Sequence, residues 1–544
     1  IDQIQVSLAP YDVTQAGFTG AAVNAVTKSG TNSFTGTIFS FYRNEALTGN
    51  KVGSSEVFKG DQSQFQGGFA IGGPIIQNKL FFFANAEFER RSDLGSNYLA
   101  AASGRTGENV SRVLASDLQA VSNALKQRFG YDTGAYENFT HQTPNQKGIL
   151  KLDWNLSERS KLAATYQFLQ ASKDKPAHPS AIGRRGPDYT TLQFENAGYR
   201  INNNLNTAIV ELRTLFGNKA SNKLQAGFSS FRDTRDPFSS PFPVININKD
   251  GIRYIVAGHE PFSINNRLDQ NVYQFTDNLN LYLDKHTLTF GVSLEKFEFD
   301  NSFNLDAFGG TFTPGYNSVA EFITLVNSGG LDAAVNAAKN TAATKNAKAW
   351  GDKDGWALAE TNMGQFALYA QDELAVSPTF NVTFGVRVDM PLYFDSATKA
   401  QENIDRNCCY DPNVEYFTET GAKIKFDSTQ LPDQKPLFSP RFGFNWDVKG
   451  NRAQQVRGGS GLFTGRFPFV WVGNQIANPN FWFYTVTSPD FKYPQVWRTN
   501  LGYDQQFGQG WTLSTDFIYT RDLHAMMVRN YGLNKPSGTL KGVD

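Results

Sequence analysis

Side chains that could carry catalysis or hold a metal are few in this sequence and lie far apart in it. The five histidines occur singly: His141, His178, His259, His286 and His524. No two of them have the spacing of a zinc site. Asp352–Gly355 begins like a calcium loop, but the glutamate that would complete the ligand set is missing. The sequence therefore predicts no metal site, no cofactor and no enzymatic activity.

The remaining candidate nucleophiles have no catalytic setting either. Ser460 lies between glycines in a predicted β-strand, where glycine lets strands bend or pack closely, and not on the strand-to-helix turn that carries a hydrolase serine. The two cysteines, Cys408 and Cys409, are adjacent. Their Cα atoms lie about 3.8 Å apart across a trans peptide, which is short for a disulfide. The sequence leaves a strained bridge and two free thiols as open alternatives.

Many segments of strand length alternate apolar with polar residues. In one of them Leu150, Leu152 and Trp154 alternate with Lys151 and Asp153. Because successive side chains of a strand point to opposite faces, such a segment has one apolar and one polar face. The apolar face is more hydrophobic than contact with water requires. We therefore expect one face of these strands to meet lipid and the other to meet water.

Connections between the predicted strands are alternately very short and very long. Fifteen strands are predicted, at residues 33–44, 63–73, 79–91, 146–157, 160–171, 205–217, 220–234, 269–283, 286–299, 362–376, 379–393, 438–449, 453–464, 493–507 and 510–522. Short turns on one rim and long loops on the other are typical of outer-membrane barrels, with the turns in the periplasm and the loops outside the cell. The pattern predicts an all-β fold, a transmembrane antiparallel β-barrel. Two of the long loops are expected to hold helices, at Asn109–Phe129 and Ala333–Lys348, which pack on their own loops.

Composition agrees with this reading and excludes other classes. Lysine plus arginine and aspartate plus glutamate are equal, at 51 each among 544 residues, so there is no basic excess to attract nucleic acid. No stretch approaches about 18 consecutive apolar residues, which excludes a transmembrane helix, whereas a transmembrane strand needs only about 9 to 11 residues. Aromatic residues make up 14% of the chain, and barrels place aromatic girdles at both membrane interfaces. An aromatic-rich soluble β protein is the alternative.

Several stretches resemble TonB-dependent outer-membrane receptors, and among these the Oar-like subgroup. Residues 17–32 are similar to the end of the plug domain, where a glycine-rich turn leads into a short strand ending in Thr-Lys. The other similar stretches are residues 69–75, 79–83, 465–471 and 491–498. Their order and their spread over most of the chain make the resemblance specific.

The resemblance implies a 22-stranded barrel, closed inside by a plug that the TonB complex of the inner membrane pulls upon. Residues 1–32 would then be the C-terminal end of the plug, and residues 33–544 part of the barrel with long extracellular loops. Plug candidates are Gly20, Asn24, Thr27 and Lys28. The TonB box, most of the plug and the carboxypeptidase-regulatory-like domain of the subgroup are absent from the sequence. The expected partners are TonB, outer-membrane lipid and an unidentified ligand, and the expected location is the outer membrane of a Gram-negative bacterium.

The same alternation assigns side chains to the two faces of the barrel. Lipid-facing residues are predicted to be Leu150, Leu152, Trp154, Phe380, Val382, Phe384, Phe442, Phe444 and Trp446. Lumen-facing residues are predicted to be Lys151, Asp153, Arg387, Asp389, Arg441 and Asn445. Candidate ligand contacts in the extracellular loops are Phe469, Trp471, Trp482 and Tyr484, although clustered loop aromatics often bury one another.

The chain begins without the basic start and apolar core of a signal peptide, so we expect a fragment or a processed chain. With fifteen strands against the 22 of the resembled family, we expect an open sheet whose edges lie near residues 34–43 and 511–521. Residues 1–30 should lie on its lumenal side. The functional expectation is active transport gated by the plug. The alternatives are a passive porin or adhesin, which needs no plug, and a hydrolase at the barrel rim.

Overall fold

The computed structural model describes residues 1–7, 10–178, 185–303, 308, 315–349, 355–407, 410–418, 420–477, 485–508 and 510–533. Cys408, Cys409, Trp482, Tyr484 and residues 352–354 lie outside the described residues. Structural statements below refer to the described part of the chain.

Strands make up most of the described structure. The first thirteen strands are β1 (Gln3–Ser7), β2 (Ala22–Val26), β3 (Thr35–Asn44), β4 (Lys51–Val52), β5 (Ser55–Glu56), β6 (Ser63–Ile76), β7 (Leu80–Leu94), β8 (Leu99–Ala101), β9 (Val110–Leu114), β10 (Thr140–Gln142), β11 (Asn145–Asn155), β12 (Ser160–Lys175) and β13 (Leu192–Gln193). The others are β14 (Tyr199–Phe216), β15 (Ala220–Pro237), β16 (Val244–Lys249), β17 (Ile252–Gly258), β18 (Arg267–Leu283), β19 (His286–Ser302), β20 (Ala359–Ser377), β21 (Phe380–Leu392), β22 (Tyr416–Phe417), β23 (Lys423–Ile424), β24 (Leu437–Asp447), β25 (Gln454–Thr464), β26 (Gln495–Phe507) and β27 (Trp511–His524).

Helices are few and all lie in the long connections. The α-helices are α1 (Ala115–Phe129), α2 (Val319–Asn327), α3 (Asp332–Thr344), α4 (Ser396–Arg406) and α5 (Phe469–Ala477). Short 3-10 turns occur at Glu45–Leu47, Glu195–Ala197 and Asn346–Lys348. None of the helices that the structure describes is both long and apolar enough to cross a membrane.

One large antiparallel sheet dominates the fold, and we call it the wall. Its fifteen long strands pair in the order β27-β26-β25-β24-β21-β20-β19-β18-β15-β14-β12-β11-β7-β6-β3, and β10 adds a short pairing to β7. Each of the fifteen strands overlaps one predicted from the sequence, so the predicted all-β fold is confirmed. Among the described residues, β3 and β27 are the two edges of the wall.

Short turns join the wall strands at one end and long connections join them at the other. The turn between β14 and β15 is Gly217–Lys219, in which Gly217 has φ of 60°, a value that suits glycine. At the opposite end, long connections carry helices and extra strands, among them those between β7 and β11, β15 and β18, and β19 and β20. As a result, the segments outside the wall strands lie mostly at one rim of the wall.

Three of these long connections and the one between β12 and β14 share a hydrophobic core. We call residues 95–139, 185–198, 238–266 and 315–349 the loop module. Its core contains Leu118 and Val121 of α1, Phe322 of α2, and Ile255 of the three-stranded sheet β13-β17-β16. Helix α1 therefore packs against other loops as well as its own, which the local helical pattern of its sequence does not reveal.

Candidate functional site: the polar face of the wall

Alternation gives the wall one apolar and one polar face. Leu150, Leu152, Trp154, Phe384, Phe442 and Trp446 are all exposed on the apolar face. Phe380 and Phe444 are half-buried on the same face. Val382 also belongs to this face by its position in β21, yet it is only 8% exposed because it is paired with Leu374 and Phe444 on the neighbouring strands.

The predicted lumen-facing residues lie on the other face, where they are partnered. The Arg387 guanidinium binds Asp389 at 2.9 Å, with both side chains buried. Lys151 lies 3.6 Å from Asp153. Asn445 is exposed and accepts a hydrogen bond from Gln455.

A segment near the start of the chain, residues 10–20, lies across this polar face, and we call it the strap. Arg441 of β24 donates to the carbonyl oxygens of Asp12 and Gln15, both at 2.7 Å, and to that of Pro10 at 3.4 Å. Arg387 of β21 donates to the carbonyl oxygen of Val13 at 3.4 Å. Two of the predicted lumen-facing residues therefore hold the strap through its backbone.

Further wall residues extend the contact along the strap. Arg498 of β26 donates to the carbonyl oxygens of Thr19, at 2.7 Å, and of Gly20. The Tyr11 hydroxyl donates to Asn500 Oδ1 at 2.6 Å, and the Val13 amide donates to Gln371 Oε1 at 3.0 Å. Arg498, Asn500 and Gln371 are functional candidates that the sequence reading missed, because no local motif marks a polar strand residue as a contact of a distant segment.

The residues on either side of the strap pair to form a ribbon. β1 and β2 pair as a two-stranded antiparallel sheet, in which the plug candidate Asn24 stands opposite Gln5. Gly20 and Lys28 are exposed, and Thr27 is half-buried. Lys151 Nζ donates to Ser29 Oγ at 2.8 Å. Of the plug candidates, Gly20 ends the strap and accepts a hydrogen bond from Arg498, whereas Asn24 lies in β2 and Thr27 and Lys28 follow that strand.

Two polar cavities lie beside the strap along the wall. The first, of about 420 Å³, is lined by Tyr11, Asp12, Glu373, Asn381, Asn445 and Arg457 and lies toward the short-turn rim. The second, of about 170 Å³, is lined by Thr14, Gly17, Glu295, Gln365, Arg387 and Arg466 and lies toward the long-connection rim. The strap contributes lining residues to both, so it separates polar space at one rim from polar space at the other.

The candidate ligand aromatics lie in the connection that enters this space. Phe469 of α5 is only 8% exposed, and its ring centroid lies 4.1 Å from that of Phe297 of β19. Trp471 is half-buried and meets Phe467 edge to face at 5.9 Å. Arg466, just before the helix, pairs with Glu295 of β19. Helix α5 is thus folded against the polar side of β19 and β20 with Phe469 already buried.

The loop module holds a buried ionisable group that the sequence reading also missed. His259 is buried, its Nδ1 lies 2.8 Å from Ser239 Oγ, and burial lowers its pKa to about 4. Burial raises the pKa of Glu260 and lowers that of Arg185 to about 10. Among the described residues, no group of three or more His, Cys, Asp or Glu side chains is placed to hold a metal ion.

Solved structures similar in fold to this chain are outer-membrane transporters and receptors. The outer-membrane transporter YddB of Escherichia coli superposes with a TM-score of 0.54 at 12% identity, covering 95% of this chain and 56% of that one. FpvA of Pseudomonas aeruginosa, bound to heterologous pyoverdines, gives 0.51 at 11% identity, covering 95% and 52%. This chain spans a little over half the length of these proteins, and identities this low show a shared fold alone.

Comparison of the sequence finds one short match to a single transporter and one family match over most of the chain. The TonB-dependent transporter Oar of Myxococcus xanthus is 41% identical over 73 residues, which is 12% of this chain and 7% of that protein. The family described as "Outer membrane beta barrel domain" matches residues 26–487, most of the chain. That family locates the protein in the outer membrane of a Gram-negative bacterium. The chain belongs to the outer membrane β-barrel domain family.

Proposed function

We propose that this protein is a TonB-dependent transporter that carries a ligand across the outer membrane, with extracellular loops that capture the ligand and a plug that gates the lumen. The observation that carries the proposal is the strap. Arg441 and Arg498 together hold five carbonyl oxygens between Pro10 and Gly20 against the polar face of the wall. A segment held in this way inside a barrel attaches the end of a plug to the lumenal wall, as the proposed gate requires.

The geometry of the wall supports the lumenal position of the strap. In a transmembrane barrel the apolar face must meet lipid, because unpaired polar groups in hydrocarbon cost several kcal/mol each. The face that carries Phe384 and Trp446 is therefore the outer face, and the face that carries Arg387 and Arg441 lines the lumen. The short match to Oar and the fold shared with known transporters agree with an active, gated route.

Ligand capture falls to the long connections, since binding residues gather on loops that a rigid scaffold positions. The connection between β25 and β26 is the strongest candidate, because its helix α5 lies against the polar sides of β19 and β20 and its Gly465 pairs with Gly17 of the strap. A ligand that displaced α5 would act directly on a neighbour of the strap. Trp471 remains half-buried on this connection and is the aromatic we propose for ligand contact.

A passive porin needs no segment across its lumen, and the contacts of residues 10–20 give that alternative no support. The complete native protein, purified from the outer membrane and analysed by mass spectrometry, should carry a small-molecule ligand and should be recovered with TonB after crosslinking. Uptake of the identified ligand should require the proton gradient of the inner membrane. Equal uptake in cells with an intact and a collapsed gradient would contradict the proposal and favour a passive pore.

A further inference from the structure

We propose that the strap is a fixed anchor that stays on the wall throughout a transport cycle, so that energised movement is confined to the chain before Pro10. This inference rests on the proposed function and goes beyond it, because it names which part of the plug does not move. Two independent features of the wall carry it, a set of arginines and a trough of glycines. The arginines bind the backbone of residues 10–20, and the glycines leave room for side chains of the same segment.

The arginines bind the strap in a way that resists pulling. Arg387, Arg441 and Arg498 stand on three different strands and all donate to backbone carbonyl oxygens. Hydrogen bonds from a charged donor are stronger than those between neutral groups, and their strength rises where water is excluded. Arg387 and Arg441 are both buried, as is Val13 between them. The load on the strap is therefore shared by three strands of the wall.

The glycines form a trough into which the strap fits. Gly443 and Gly459 face each other on β24 and β25, and Gly385 lies on the adjoining β21. A Cβ atom at Gly443 would lie 3.2 Å from Tyr11 Cβ, and one at Gly459 would lie 2.5 Å from the Tyr11 ring as well as 2.3 Å from the backbone oxygen of Phe442. A Cβ atom at Gly385 would collide with Val13. Strand glycine often marks a place where another backbone approaches closely, and here three such positions lie side by side under one segment.

The chain before the strap is held quite differently. β1 pairs with β2 in a sheet of two strands, and its side chains Ile4 and Val6 are exposed. Its attachment is a short ladder of backbone bonds, which can open one pair at a time when pulled from the N-terminal side. Force applied before residue 1 would therefore unzip β1 and reach the strap last. The proposal therefore predicts that, in cells, β1 moves on energisation and the strap does not.

Cysteine labelling of the complete protein in living cells tests the anchor without knowledge of the ligand. In a background with Cys408→Ser and Cys409→Ser, Val13→Cys reports on the strap and Val6→Cys reports on β1. The probe is a membrane-impermeant maleimide, applied with the proton gradient intact or collapsed by an uncoupler. Labelling at position 13 should be the same in both states. Because Val6 is already exposed on β1, release of β1 should appear as a change, in either direction, in the rate of labelling at position 6 when the membrane is energised.

A rise at position 13 on energisation would overturn the anchor while leaving the proposed function intact. No response at either position would instead contradict energised movement, and with it the proposed function. Arg441→Gln, added to Val13→Cys, should raise labelling at position 13 because it removes three bonds to the strap. The matched control is Arg457→Gln, since Arg457 lies on the same face but binds Asp504 and Asp516.

Loss of Arg441 could itself prevent the barrel from folding, so a second variant disturbs the strap without changing an arginine. Gly443→Val keeps every arginine, and the three atoms nearest to a Cβ at that position all belong to Tyr11, so it should also raise labelling at position 13. Gly227→Ala is its control, because a Cβ atom there meets only ordinary contacts, the nearest at 3.4 Å. Unheated gel electrophoresis shows whether each barrel is folded. Folded barrels in which both disruptive variants label like their controls would overturn the anchor.

Discussion

The ring of Phe469 lies against that of Phe297, with centroids 4.1 Å apart and planes 35° apart. Phe469 belongs to helix α5 in a long connection, whereas Phe297 lies on β19 of the wall, on the same side of the strand as Glu295. The contact therefore turns a connection inward, over the polar face. Phe299 packs on the same ring at 5.8 Å, and Val472 and Ile476 continue the apolar contact. The helix is held by packing along one side.

Phe469→Ala should release α5 from the wall. Truncation of a buried phenylalanine costs about 3 to 5 kcal/mol where the site cannot collapse, and here it removes the ring that two wall residues contact. Hydrogen exchange of residues 469–477 should become faster in the variant, while exchange in the wall strands stays unchanged. Val470→Ala is the control, since Val470 is exposed on the same helix. Equal protection of α5 in the two variants would mean that the Phe297 contact does not hold it.

A second prediction concerns which side of the outer membrane the loop module and the short turns face. Asn123 is exposed on α1 of the loop module, and Asn218 is exposed in the short turn between β14 and β15. If long loops face the outside and short turns face the periplasm, an impermeant maleimide should label Asn123→Cys in intact cells. Asn218→Cys should react only after the outer membrane is permeabilised. Labelling in the reverse order would place the loop module in the periplasm.

The wall could be predicted from sequence because its signals are local. Alternation such as Leu150 to Trp154 and turn formers such as Gly217 lie within a few residues of the structure they determine. Each predicted strand accordingly overlaps an observed one. The observed strands extend further at the long-connection rim, as at β14, which begins at Tyr199 and not at residue 205. Polar residues near that rim weaken the alternation without ending the hydrogen bonding.

The strap and the loop module depend on contacts that no local pattern encodes. Tyr11 and Asn500 are bonded although 489 residues separate them in the chain. Gly443 could be taken from the sequence for a flexible strand residue, and the position of Tyr11 beside it shows why a side chain fits poorly there. The placement of Arg441 on the polar face could be predicted from the alternation, whereas its binding of strap carbonyls could not. The assignment of residues 1–32 to the end of a plug domain therefore rests on the family resemblance, and it stays a prediction.

Membrane orientation of the wall can be tested with one neighbouring pair of residues. Phe384 is 54% exposed on the apolar face, whereas Thr383 points to the polar face and lines the larger cavity. Arginine at a mid-membrane lipid-facing position costs about 2 to 4 kcal/mol, and a lumenal arginine can remain hydrated. Phe384→Arg should thus lower the free energy of unfolding, measured by denaturant titration in lipid vesicles, far more than Thr383→Arg. Equal losses would contradict the assignment of faces.

Acidification should destabilise the loop module through His259. This side chain is 2% exposed, and its Nε2 has no hydrogen-bond partner among the described residues. Burial, aided by the charge of Arg185, lowers its pKa from an ordinary value near 6.5 to about 4. The unfolded loop therefore binds a proton in this range that the folded loop does not. Stability contributed by neutral His259 is complete above pH 6.5 and falls as the pH drops toward 4, by about 3 kcal/mol in all.

His259→Gln isolates this contribution from that of its neighbour Glu260. The raised pKa of Glu260 acts in the opposite sense, because the folded state then binds the proton more readily than the unfolded state and gains stability as the pH falls. That effect is present in both proteins and cancels in their difference. Hydrogen exchange of β17, measured for both proteins at each pH from 7 to 4, gives the free energy of local opening. The native protein should lose stability relative to the variant as the pH falls, and a difference that stays constant over this range would show that His259 titrates normally in the folded loop.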